Sequence, residues 1–173
     1  MRNIPRSHLA LLFTVVGVII WSGWRPYDRF TWWLEASPAL AGIAILLATY
    51  RRFRLTTLCY VLIALHMCVL CVGGHYTYAR VPAFDWLRSI FGWDRNHYDR
   101  LGHLAQGFVP AIIAREVLVR FDVIKKTKWL PFLIVSICMA ISAFYELLEW
   151  WAALISGSAA DDFLGGQGDV WDT

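Results

Sequence analysis

The sequence predicts an all-α fold: a polytopic membrane helix bundle of about five transmembrane helices, with a cytoplasmic N-terminus. Three observations carry this. Hydrophobic residues make up 58% of the 173 residues and charged residues only 17%, against about 25% charged in a typical soluble domain. Apolar stretches close to the roughly 20 residues that a helix needs to cross hydrocarbon recur along the chain. Finally, 10 Trp, 10 Phe and 7 Tyr supply amphipathic rings of the kind that gather at membrane interfaces. The net charge of +3 is too small and too dispersed for a nucleic-acid partner. The same composition excludes the disordered and disulfide-scaffold classes.

The first span covers residues 9–24 and follows Arg2 and Arg6. Its end, Trp21-Ser22-Gly23-Trp24, offers no small-x-small cleavage site, which separates it from a signal peptide. The second covers 33–50, with Pro38 near its start, where proline is tolerated. The third covers 55–74. The fourth, 101–121, is interrupted by His103, Gln106, Pro110, Arg115 and Glu116, and the fifth, 129–155, contains Glu146 and Glu149. The chain reads as one membrane-embedded domain, 1–173, with an outer loop at 75–98 and an acidic outer tail at 156–173. Within that loop, residues 84–91 have the pattern of a short amphipathic helix lying on the surface. Cys59, Cys68, Cys71 and Cys138 all sit in apolar runs and read as small buried hydrophobes.

Orientation follows from the bases. With the N-terminus inside, Arg2, Arg6, Arg51, Arg52, Arg54, Arg120, Lys125, Lys126 and Lys128 fall on the cytoplasmic side. The outer arginines, Arg25, Arg29, Arg80, Arg88, Arg95 and Arg100, are interleaved with acids. Uniformly basic inner loops are the positive-inside pattern.

Ionisable residues inside a span cost about 2.5–3.5 kcal/mol each on insertion scales and face protein or water when they persist. Asp99, His103, Gln106 and Pro110 recur at i, i+4, i+7 and i+11, one stripe of a helix; Ser142, Glu146 and Glu149 form a matching stripe on the next. A short basic segment, 122–128, joins the two spans, so they pack antiparallel. His103 and Glu146 lie nearly the same number of residues from the basic ends of their helices, as do Asp99 and Glu149. The pairs therefore fall at matching depth in the outer third of the membrane.

Glu146 and Glu149, one turn apart, repel unless a cation lies between them. Arg100, a protonated His103 or a divalent metal could serve. Histidine with carboxylates suits Zn²⁺, Mn²⁺ or Fe²⁺, and the metal-competent set is Asp99, His103, Glu146 and Glu149. His75, His97, Asp169 and Asp172 are expected on the same side, and with Gln106 and Arg100 they complete the candidate binding set. The bland reading is a buried salt-bridge cluster of Asp99, Arg100, Glu146 and Glu149 that joins two helices. Glu116 and Arg120 read as an i, i+4 helix pair snorkelling to the inner interface. No nucleophile elbow, Walker loop or dinucleotide fingerprint is present in the sequence.

Four segments together resemble one family. They are Gly74-His75-Tyr76-Thr77-Tyr78, residues 96–103 followed by Gln106-Gly107, Glu146-Leu147-Leu148-Glu149-Trp150, and the tail 167–173. These resemble the YjdF-like family of bacterial inner-membrane proteins, over nearly the whole chain. The resemblance implies an inner-membrane location and supplies no activity. In that family the tail leads into a further membrane helix, so it also implies a last span beyond Thr173. The order Asp–basic–x–x–His on one helix, then Glu–x–x–Glu on the next, then Asp, is similar to VanZ-like membrane proteins, which are linked to glycopeptide-antibiotic tolerance and the cell envelope. Here Glu149 stands where that pattern prefers Gln.

The leading expectation is an outward-facing acidic and histidine-containing site that binds a divalent metal and a polar or lipid headgroup, or a small polar metabolite, of the envelope. A small proton-coupled transporter that uses Glu146 and Glu149, or a structural membrane subunit, is the alternative. No inverted repeat of the kind common in transporters is visible in the sequence. Whether the protein is an enzyme is left open by these residues.

Overall fold

The computed structural model describes residues 4–125 and 127–156, and these form six helices. In chain order they are α1 (Arg6–Gly23), α2 (Arg29–Thr49), α3 (Thr57–Tyr76), α4 (Pro82–Phe91), α5 (Tyr98–Arg120) and α6 (Trp129–Ser156). Among the described residues α1, α2, α3 and α6 are long and apolar enough to cross a membrane. Helix α5 has 23 residues but carries Asp99, Arg100, Arg115, Glu116 and Arg120, so its composition alone does not mark it as a span. The architecture is an all-helical membrane bundle, as the composition predicts.

Local chemistry sets the helix ends. Helix α2 starts four residues before its apolar run because Asp28 caps it, accepting a hydrogen bond from Thr31 N at 2.7 Å. This corrects the placement of Pro38, which stands inside α2 rather than near its start. A proline there cannot donate to the carbonyl one turn back. The Ser37 hydroxyl takes that role, donating to Leu34 O at 2.8 Å. Helix α4 opens on Pro82, two residues earlier than its apolar pattern suggests, and ends at Phe91 as expected, with Gly92 at φ +65° as its cap. It is amphipathic and contributes no buried residue.

Helix α3 is the axis of the bundle. Helices α1, α2 and α5 pack on it, and α6 packs on α5. Val15, Ala39, Cys59, Ile63, Ala64, Met67, Cys71 and Val109 form the buried core between α1, α2, α3 and α5. Small and medium side chains let helix backbones approach closely, which is how membrane helices associate when lipid is as apolar as they are. Large apolar residues such as Phe13, Leu58, Phe108, Phe132, Met139, Phe144 and Leu154 point outward. Outside a bilayer so large an apolar exterior would drive aggregation.

The two ends of the bundle differ. Arg6, the α2–α3 turn with Arg51, Arg52 and Arg54, and Arg120 share one end, called here the basic end. At the other, aromatic end, His75 Nδ1 donates to Ser22 O at 2.8 Å, Tyr27 N donates to His75 O at 2.9 Å, and Trp21 stacks on the His75 ring.

Candidate functional site

The site is built at the aromatic end, where α2, α3, α5 and α6 converge. On α5, one turn separates Asp99 from His103, and Asp99 Oδ2 lies 3.3 Å from His103 Nε2. Asp99 is largely covered while His103 is 44% exposed. Helix α6 packs antiparallel on α5, as the short connection requires. Its face bearing Ser142, Tyr145, Glu146 and Glu149 is half-buried between exposed Phe144, Leu147, Leu148 and Trp150. The charges of Glu146 and Glu149 act on His103, and those of Glu146, His103 and Asp99 act on Glu149. The two stripes marked in the sequence therefore lie within electrostatic reach of each other.

A residue that the sequence pattern does not mark completes the cluster. Glu35 of α2 is only 4% exposed, and the Tyr145 hydroxyl of α6 lies 3.4 Å from its Oε2. The Tyr78 hydroxyl interacts with the same carboxylate, and Glu149 and Asp99 act on it through space. Glu35 was legible in principle: it is a lone carboxylate in an apolar run, and the cost of such a group in lipid is the signal.

The backbone is shaped to admit these side chains. A Cβ at Gly73 would lie 2.4 Å from the Tyr78 ring, one at Gly102 3.1 Å from it, and one at Gly74 2.9 Å from Glu35 Cβ. Thr77 at φ 58° and Tyr78 at φ 49° both adopt the left-handed region, which is costly for residues with a Cβ. That reversal swings the Tyr78 ring back over the end of α3, where it packs between Gly73 and Gly102. Burial, then the neighbouring Glu35 carboxylate, pushes the Tyr78 phenol well above its ordinary range, so it remains a hydrogen-bond donor.

The remaining sequence-marked residues divide. Gln106 lies one turn further along α5, and its Nε2 is buried with no hydrogen-bond partner among the described residues. Pro110, four residues on, has no N–H to give to the Gln106 carbonyl. His75 is held by Ser22 and Trp21. His97 stands at the start of α5 with its ring against Trp93. Its neighbour Asn96 is fully buried and ties α4 to α5, donating to Val81 O at 3.1 Å and Asp85 Oδ1 at 3.0 Å. Arg100 is exposed. Asp169 and Asp172 lie outside the described residues.

The expected metal set finds no support in the structure. Among the described residues no three His, Cys, Asp or Glu side chains converge to hold an ion. Asp99 pairs with His103 within its own helix, while Glu146 and Glu149 act on His103 through space. Glu116 is also more than a snorkelling pair. It is buried at the basic end, where it accepts from Thr56 N at 2.8 Å, Thr56 Oγ1 at 2.6 Å and Cys59 Sγ at 2.9 Å. Arg120 pairs with it and donates to Arg54 O at 2.7 Å.

Long apolar helices with ionisable groups gathered between them define a multi-pass membrane protein. Residues 7–173 match the family described as "Predicted membrane protein (DUF2238)", and the chain belongs to that family. It is 50% identical over 160 residues to the inner membrane protein YjdF of Escherichia coli (strain K12), covering 92% of this chain and 77% of that one. No solved structure matches the chain. The inner-membrane location expected from the sequence agrees with the family and this relative.

Proposed function

We propose that this protein is a binding protein of the bacterial inner membrane whose aromatic-end site opens outward and takes a cationic, hydrogen-bond-donating group from an envelope lipid headgroup or small polar metabolite. The observation that carries the reading is the burial of Glu35 against Tyr145, within the fields of Asp99 and Glu149. Three carboxylates, Asp99, Glu146 and Glu149, act on one histidine that Asp99 already engages, and Glu35 lies within the fields of Asp99 and Glu149. Such a surplus of acid in a low-dielectric setting favours a cation brought by a ligand. Half-exposed His103 offers the way in from water, and the Gln106 amide, which has no partner among the described residues, offers a donor one turn deeper.

The probe is phosphatidylethanolamine added to the purified chain in neutral detergent, with phosphatidylcholine, whose ammonium has no N–H to donate, as the control. The ethanolamine lipid should raise the unfolding midpoint, since a ligand that binds only the folded state stabilises it. Glu149→Gln should weaken that response at least tenfold, the consequence of losing a charge-assisted hydrogen bond worth about 1.5–3 kcal/mol. An equal response to both lipids, or an undiminished one in Glu149→Gln, would refute the reading.

The depth of Glu35 also favours a second one, in which Glu146 and Glu149 pass protons inward. Proton flux into proteoliposomes that Glu149→Gln abolishes, with no lipid response, would select it.

A further inference from the structure

At the opposite, basic end the structure has a second feature that is independent of the acidic site. Helices α1 and α2 both lean on α3 and touch each other little. Between them runs an apolar slot of about 120 Å³, walled by Leu12 and Val15 of α1, Ile43 and Leu46 of α2, and Ile63 of α3. Its basic end meets a polar bowl of about 650 Å³ rimmed by Arg51, Arg52, Arg54 and Arg120. His8 and Tyr50 line both spaces, so the two adjoin. Among the described residues neither lining contains Asp or Glu.

The join is held in shape. His8 is buried and its ring nitrogens lie 2.8 Å from Tyr50 Oη and 3.1 Å from Thr57 Oγ1, which bridges all three helices. Arg54 lies over the Tyr50 ring at 4.7 Å. Arg120 is committed to Glu116 and Arg54 O, which leaves exposed Arg51 and Arg52 as the cations best placed to meet a ligand.

We propose that this slot and bowl form a binding site for one anionic glycerophospholipid of the cytoplasmic leaflet, its phosphate among the α2–α3 arginines and an acyl chain between α1 and α2. Basic pockets between membrane helices on the cytoplasmic side suit anionic headgroups. The slot distinguishes a lipid from a free phosphate: an inorganic anion has no use for an apolar cleft.

The test uses the purified full chain, with phosphatidylglycerol as probe and retained lipid counted by native mass spectrometry. Arg51→Gln with Arg52→Gln should lower phosphatidylglycerol retention about thirtyfold, from about 1 kcal/mol per arginine near the surface at 1.4 kcal/mol per tenfold. Both residues are exposed, so the fold should persist, and an unchanged unfolding midpoint in detergent without added lipid checks this. Lys125→Gln with Lys128→Gln removes the same charge away from the bowl and should leave retention unchanged. Glycerol phosphate, which has the headgroup without chains, should neither bind detectably nor displace the lipid. Equal loss in both double variants would mean general surface attraction and overturn the site. So would displacement by glycerol phosphate, retention of phosphatidylcholine equal to that of phosphatidylglycerol, or full retention in the arginine double variant.

Discussion

At the scale of single residues, Gly73 and Tyr78 depend on each other. The Tyr78 ring occupies the space that a Cβ at Gly73 would take, with 2.4 Å between them, so the two cannot coexist without movement. Gly73→Ala should destabilise the protein by about 1–3 kcal/mol, the usual cost of overpacking a tight site. In a Tyr78→Ala background the same substitution should cost little, because the obstructing ring is gone. Unfolding of the four proteins in detergent forms a double-mutant cycle. An equal cost of Gly73→Ala in both backgrounds would show that the ring does not sit there. The sequence marked Gly74, His75 and Tyr78 only as part of a familiar motif. It could not reveal the packing, which depends on two consecutive left-handed residues, Thr77 and Tyr78, that no propensity favours.

At the scale of elements, the joint between α3 and α5 shows how a long-range contact can hide behind a local one. The spacing of Glu116 and Arg120 invites reading as a helix pair, and they are one. The same carboxylate also satisfies Thr56 N, Thr56 Oγ1 and the Cys59 thiol at the first turn of α3, some 60 positions earlier. A helix start leaves unpaired N–H groups that need acceptors, and here the acceptor comes from another helix. Glu116→Ala should therefore destabilise by about 3–5 kcal/mol, since Arg120 and the α3 cap both lose their partner in a buried setting. Arg54→Ala, whose backbone carbonyl still meets Arg120, should cost far less. Equal costs in thermal unfolding would mean that the joint is superficial. The stripes of α5 and α6 were legible because their polar residues keep one helical period. Glu35 carries no such signal because it stands alone, without a periodic companion, and its partners Tyr78 and Tyr145 come from distant segments.

Across the whole molecule, the separation into a basic and an aromatic end fixes what a topology experiment should find. Uniformly basic segments stay in the cytoplasm. Reporter fusions after Arg54 and after Lys125 should read cytoplasmic, and one after Trp93 should read external. An external signal at Arg54 would invert the molecule, turning the acidic cluster inward and the arginine bowl outward. Hydropathy predicted an all-helical membrane bundle and the apolar helices α1, α2, α3 and α6, because span length is a one-dimensional property. It could not show that α3 is the axis on which α1, α2 and α5 pack, because that follows from which small residues meet in three dimensions.

Helix α5 has a consequence for biogenesis. A nascent chain reaches the insertion machinery in sequence order, so α1, α2 and α3 are delivered before α5 emerges. With five charged side chains, α5 is a poor guest for lipid on its own merits. The first turn of α3, by then in place, presents the Thr56 and Cys59 donors that Glu116 accepts from. On the far side, α6 follows α5 and packs on it, bringing Glu146 and Glu149 within reach of His103. The early apolar helices thus act as a template for a later segment that could not partition by itself, and the order of synthesis becomes the order of assembly.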